Sequence, residues 1–140
     1  MAKATLKVNL KNSKKRSAVE DVFAVQLHQA GIKDFRRNAR FIPGRRFEAD
    51  FYFPKLRLVV EVDGGLWMPR GGHTSGSGAK RDRERDILAY VSGQVLTIRV
   101  ASDHVRSGEA IDWVKQILEI RQEELYGDST EGSVCLSGDS

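Results

Sequence analysis

The chain is poor in cysteine, in proline and in long apolar runs, and each shortage removes a class of protein. A single cysteine, Cys135, among 140 residues excludes an internal disulfide and fits a reducing cytoplasm. No apolar run exceeds a few residues, so no membrane-spanning segment is expected. The opening MAKATLKVNL alternates lysines with apolar residues and lacks the apolar core of a secretory leader. No internal repeat is present. What remains is 40% hydrophobic and 30% charged, the balance of a soluble globular protein, with length enough for one domain and its own core.

Charge is scarce of one sign at each end. Residues 1–16 hold six Lys or Arg and no acid, whereas 127–140 hold three acids and no base, leaving 17 basic and 16 acidic residues between them. The net charge is +4. This pattern divides the chain into a basic flexible arm (1–16), a folded domain (17–126) and a polar disordered tail (127–140). A basic arm is a common nucleic-acid contact, and equally a solvated start.

The folded part is organised around FEADFYFPKLRLVVEVD, residues 47–63. Phe47, Ala49, Phe51 and Phe53 are apolar at odd positions, and Leu56, Leu58, Val60 and Val62 at even ones. Period-two alternation marks strands with one buried face, here roughly 46–53 and 56–63, joined at Pro54-Lys55. With a two-residue loop Asp50 faces Val59, and a slip of two residues sets Asp50 directly opposite Glu61. In either register Glu48, Asp50, Tyr52, Arg57, Val59, Glu61 and Asp63 share the other face. Carboxylates crowded on one sheet face repel unless they titrate or hold a cation. Oxygen ligands of this kind suit Mg²⁺. The alternative is an acidic but merely solvated outer face.

At these residues the chain resembles the PD-(D/E)XK nuclease superfamily: Asp50, ten intervening residues, then Glu61-Val62-Asp63. FIPGRRFEADFYFPKLRLVVEVDGGLW, GGHTSGSG and RDRERD resemble the branch of very-short-patch-repair endonucleases, often found in phage genomes. The likeness runs from Ser17 to Leu118. It implies a restriction-endonuclease-like α/β sandwich of three layers, with a short mixed sheet of about four strands between helices. It also implies Mg²⁺ or Mn²⁺ as cofactor, and a bacterial or phage-infected cytoplasm. The third position departs from the commonest family residue, Lys, and carries Asp63. Arg85 stands where relatives often have Lys, so Arg85 and Lys80 are candidates for the missing cation.

The flanking segments supply the remaining candidates. Ser17-x-x-Glu20 has capping-box spacing, Val19, Phe23, Leu27 and Ala30 follow at helical intervals, and Gly31 is the stop. Glu20 caps its own helix, or joins the metal cluster as the resemblance implies. A strand follows within Ile32–Phe41, before the Pro43-Gly44 turn. Arg36, Arg37, Arg40, Arg45 and Arg46 put five guanidiniums into eleven residues with no acid between Asp34 and Glu48, a pattern suited to DNA phosphates. Gly64–Gly78 holds six glycines with Trp67 and His73. Trp67 either stacks on bases or packs as a lid, and His73 either shuttles a proton or has no special role. A helix over 79–92 carries Lys80, Arg81 and Arg85 and ends at Gly93. A β-branched strand over 94–100 reads as central, and a helix over about 108–126, capped by Asp103 or Ser107, closes an order α-β-β-β-α-β-α.

Together these readings predict a metal-dependent DNA endonuclease that hydrolyses a phosphodiester through metal-activated water. Asp50, Glu61, the Val62 carbonyl and Glu20 are the candidate metal ligands, and Asp63 and His73 the further catalytic candidates. Double-stranded, nicked and branched DNA all remain open as substrate, as do nicking against double-strand cleavage and monomer against homodimer. The rival readings are a nucleic-acid-binding module with a degenerate site and a ribonuclease of the same fold.

Overall fold

The computed structural model describes residues 18–64 and 76–127. Trp67 and His73 lie outside the described residues, as do Ser17, the basic arm and the tail beyond Gly127. The element order is α1 (Ala18–Gln29), β1 (Arg36–Arg40), β2 (Glu48–Phe53), a 3₁₀ turn (Pro54–Leu56), β3 (Leu58–Asp63), α2 (Gly76–Gly93), β4 (Leu96–Ala101), α3 (Ser102–Ser107) and α4 (Glu109–Leu125). The strands form one mixed sheet in the order β1-β2-β3-β4, antiparallel except for the parallel β3–β4 pair that α2 connects. Helices flank both sides, so the chain is an α/β protein with a four-stranded mixed sheet. Among the described residues no helix is long and apolar enough to cross a membrane.

The parity of the hairpin sets the layers. Phe51 and Phe53 of β2 and Leu58, Val60 and Val62 of β3 form the main core with Val19, Phe23 and Leu27 of α1, Val105 of α3, and Val114 and Leu118 of α4. The rings of Phe23 and Phe51 meet edge to face, 5.1 Å between centroids. A smaller cluster on the other side joins Val59 to Ala89 of α2, Val95, Phe41 and Ile42. Ala49 and the half-buried Phe47 pack in this second cluster and not in the main core expected for them. Phe41 and Ile42, which follow β1, belong to the same cluster.

The hairpin register differs from the two-residue loop by two. Phe53 pairs with Leu58 and Phe51 with Val60, because Pro54–Leu56 make a 3₁₀ turn and Arg57 closes it in the left-handed region at φ 51°. A shift of two preserves every side chain's face, so the apolar set stays buried.

Three further differences have local causes. Gly93 is the last residue of α2, but the left-handed position after it falls on Gln94 at φ 56°. The Gln94 carbonyl accepts from Arg121 at 2.9 Å, which ties down an otherwise unfavourable conformation. β4 lies at the end of the described sheet and not at its centre. Its apolar composition reflects helical cover on both sides, which an end strand can share with a central one. Finally, a short helix not expected from the sequence, α3, precedes the closing helix, which starts at Glu109 after Gly108 (φ 89°), with the Ser107 hydroxyl accepting from the Glu109 amide at 3.2 Å. Gly31 ends α1 at φ 81°, as its sequence position predicts.

Candidate functional site

Asp50 and Glu61 are 3% and 6% exposed, in the middle of β2 and β3. One step beyond the Phe51–Val60 pair, the ladder would set these residues opposite each other. Their side chains take over there. The Asp50 amide donates to Glu61 Oε2 at 2.9 Å, and the Val62 amide donates to Asp50 Oδ2 at 3.0 Å. Each carboxylate is thus fixed by the other's strand. The two acids are held close, on the face covered by α2.

Cations surround the pair. The Arg85 guanidinium, on α2 and 12% exposed, lies 3.6 Å from Glu61 Oε1 and also reaches Asp82 and Asp86. Arg99, level with Glu61 on the parallel strand, lies 3.8 Å from Asp63 and is held by both oxygens of Asp86, at 3.0 and 3.2 Å. Asp63 is half exposed at the end of β3, and its carbonyl accepts from the Ser102 hydroxyl. Of the two candidates for the missing lysine, Arg85 reaches the acids. Lys80 and Arg81 are exposed near the start of α2.

Electrostatics follow from burial. Burial first, then the Asp50 charge, pushes the Glu61 carboxyl from 4.5 up to about 7, against the opposing Asp50 amide and Arg85. Burial also raises Asp63, with Arg99 opposing and Asp50 and Asp82 adding. Burial disfavours the Arg99 cation, but Asp86 and then Asp63 and Asp82 outweigh it, so its proton is held more tightly than usual. Two adjacent buried carboxylates, whose desolvation Arg85 offsets only in part, form an oxygen donor set that a hard divalent cation suits. Among the described residues no three His, Cys, Asp or Glu side chains converge as a ligand group. Glu20 is buried in the first turn of α1.

The arginines of the β1 region sort by register. Arg36 pairs with Tyr52 and Arg40 with Glu48, which places both on the acid face. Arg37 pairs with Phe51 on the opposite face, where its guanidinium sits 5.3 Å over the Phe51 ring and 2.9 Å from Asp21. Arg40, Arg45 and Arg46 line a groove of about 550 Å³ with Tyr52. A larger groove of about 700 Å³ lies at the hairpin end between α1, the 3₁₀ turn and α4, away from the acids, and is lined largely by apolar groups such as Phe53 and Leu118.

Arg99 and Asp86 were not among the sequence candidates. The available signal was one arginine in the strand LTIRVA, a charge that must find a partner if its face is covered.

No protein-family model matches the chain, and no curated protein matches it either.

Proposed function

We propose that the chain is a metal-dependent DNA endonuclease of the restriction-endonuclease-like PD-(D/E)XK type, hydrolysing a phosphodiester bond. The observation that carries this reading is the buried Asp50–Glu61 pair on neighbouring strands, Glu61 held by the Asp50 amide and Asp50 by the Val62 amide. The four-stranded mixed sheet flanked by helices is compatible with the sandwich that the resemblance implies.

Bound between these carboxylates, Mg²⁺ or Mn²⁺ would supply a nucleophilic water and neutralise charge on the phosphoryl and leaving oxygens. Asp50 and Glu61 hold their oxygens in place before substrate arrives, so little reorganisation accompanies the reaction. Arg85 offers a fixed guanidinium beside Glu61 for a phosphoryl oxygen. Asp63, steadied by Arg99, is placed to accept a hydrogen bond from water at the rim.

The test is cleavage of supercoiled plasmid with Mg²⁺ and with EDTA. Wild-type protein nicks or linearises it only with the metal, and Asp50→Ala and Glu61→Ala each slow the reaction about a hundredfold or more. Either variant cutting at the wild-type rate refutes the assignment. A second reading, a binding module without cleavage, is favoured by one observation: the third position holds Asp63 engaged by Arg99 and no lysine. It predicts a gel shift with no product in Mg²⁺ or Mn²⁺. Including an RNA substrate separates the ribonuclease alternative.

A further inference from the structure

The arginine groove beside the acid pair is concave, and that shape narrows the substrate. Arg40, Arg45 and Arg46 are exposed there, and among the described residues none has an acidic partner. The arginines nearer the core behave differently: the half-buried Arg37 and Arg85 and the buried Arg121 each meet a carboxylate, as does the exposed Arg99. Arg40 stands across the strand pair from Glu48 and Arg45 rests on an aromatic ring, but no carboxylate among the described residues lies within ion-pair distance of any of the three. The Tyr52 ring forms part of the same wall, half-buried and steadied by Phe41 at 5.8 Å between centroids. The Arg45 guanidinium lies over the Phe47 ring, 5.1 Å from its centroid.

Guanidiniums grip phosphate in bidentate fashion, and aromatic or guanidinium planes stack on bases that are free of a partner strand. The groove, about 550 Å³ and open to solvent, has room for one nucleotide-sized ligand along it. An intact duplex keeps its bases stacked inside and offers such a hollow only its backbone. Tyr52 follows Asp50 by two residues on the same strand face, a step of roughly 7 Å. That spacing brings the groove next to the acids.

We propose that this groove seats one unpaired nucleotide next to the bond to be cut, its phosphate on Arg40, Arg45 and Arg46 and its base against Tyr52. The substrate class is then DNA with a single or splayed strand at the cleavage point, not uninterrupted duplex. The location of the cut rests on the endonuclease reading. The seating of a nucleotide does not.

The experiment measures fluorescence anisotropy of the full chain in EDTA with one labelled sequence presented as single strand, fork and blunt duplex. Single strand and fork bind about tenfold or more tightly than duplex, the worth of one stacked base with its contacts. Tyr52→Ala removes that preference while leaving duplex affinity within about twofold, and Tyr52→Phe keeps it. Arg45→Ala, at an exposed site, narrows the preference and serves if Tyr52→Ala does not fold. Equal binding of the three DNAs, or variants that leave the preference intact, overturns the proposal. Plasmid and fork cleavage run in parallel separates the two readings. Asp50-dependent cutting without strand preference sinks the groove alone, whereas strand preference without cutting in any metal sinks the endonuclease and leaves the groove standing.

Discussion

Asp50 and Glu61 substitute for each other's strand: the Asp50 amide donates to Glu61 Oε2 at 2.9 Å while Asp50 Oδ2 accepts from the Val62 amide at 3.0 Å. The arrangement makes the two carboxylates structural as well as chemical. Asp50→Ala leaves the buried Val62 amide without its acceptor and destabilises by about 1–3 kcal/mol. Asp50→Asn, which keeps an acceptor oxygen, recovers much of that in urea unfolding while remaining as slow in cleavage as the alanine variant. Equal stability of the Ala and Asn variants would count against the hydrogen bond.

The Glu61 carboxyl imposes an unusual pH dependence. Its folded value, about 7, lies above the ordinary 4.5, so the folded state holds the proton more tightly than the unfolded chain. Between these values the unfolded chain releases its proton first. Stability contributed by this group therefore falls as pH rises from 4.5 to about 7, and is level on either side. The full shift corresponds to roughly 3 kcal/mol at most. Wild-type minus Glu61→Gln unfolding free energy in EDTA should fall across that window. Millimolar Mg²⁺ at pH 7.5 should raise the melting temperature of the wild type and not of Glu61→Gln. A flat difference curve rules out a carboxyl raised by burial.

How far the sequence carried this structure depends on which force set each feature. The alternation in residues 47–63 was readable because a buried face enforces period two, and a register shift of two leaves that pattern unchanged. The register itself was not readable, because it hangs on Arg57 adopting a left-handed conformation that arginine has no local reason to take. Gly93 and Gln94 show the same limit: the glycine marks a helix end correctly, but the turn falls one residue later, where Arg121 holds the carbonyl. The acid pair was legible from parity. The Arg85 contact and the Asp86–Arg99–Asp63 chain were not, since they require knowing which face of α2 lies against β3 and β4.

Arg85 and Arg81, one helical turn apart, should behave differently. Arg85 reaches Glu61 at 3.6 Å, whereas Arg81 is exposed. Arg85→Ala is expected to lower kcat by about a hundredfold, since a preorganised cation acts chiefly on charge developing in the transition state. Arg81→Ala should leave kcat near wild type and move only KM. Single-turnover cleavage at saturating protein makes the comparison, and similar losses in both variants would remove Arg85 from the site.

Arg121 ties α4 to the hairpin turn and to the residue after α2. It is buried and donates to the carbonyls of Leu56 at 3.1 Å, Arg57 at 3.2 Å and Gln94 at 2.9 Å, with Glu124 as counter-ion at 3.1 Å. Two of these carbonyls belong to the left-handed residues Arg57 and Gln94. Arg121→Met keeps the apolar stem but strands the carbonyls, and should destabilise by about 2–4 kcal/mol. Arg121→Lys should recover little, because an ammonium cannot span the fork. Cleavage below the unfolding transition should stay near wild type in both, as the residue lies at the hairpin end.

The arginines of the β1 region lend themselves to a salt titration, because register has already divided them by face. Arg40 and Arg46 are exposed without acidic partners among the described residues, whereas Arg37 is engaged by Asp21 and the Phe51 ring. If the outward residues each neutralise a phosphate, replacing one by alanine should reduce the slope of log affinity against log salt by about 0.7–0.9. Arg37→Ala should leave that slope unchanged and lower the urea midpoint instead, since its removal exposes Phe51 and frees Asp21. A salt slope that responds to Arg37 and not to Arg40 or Arg46 would mean that nucleic acid approaches the opposite face of the sheet, away from Asp50 and Glu61. The placement of the whole site would then fail with it.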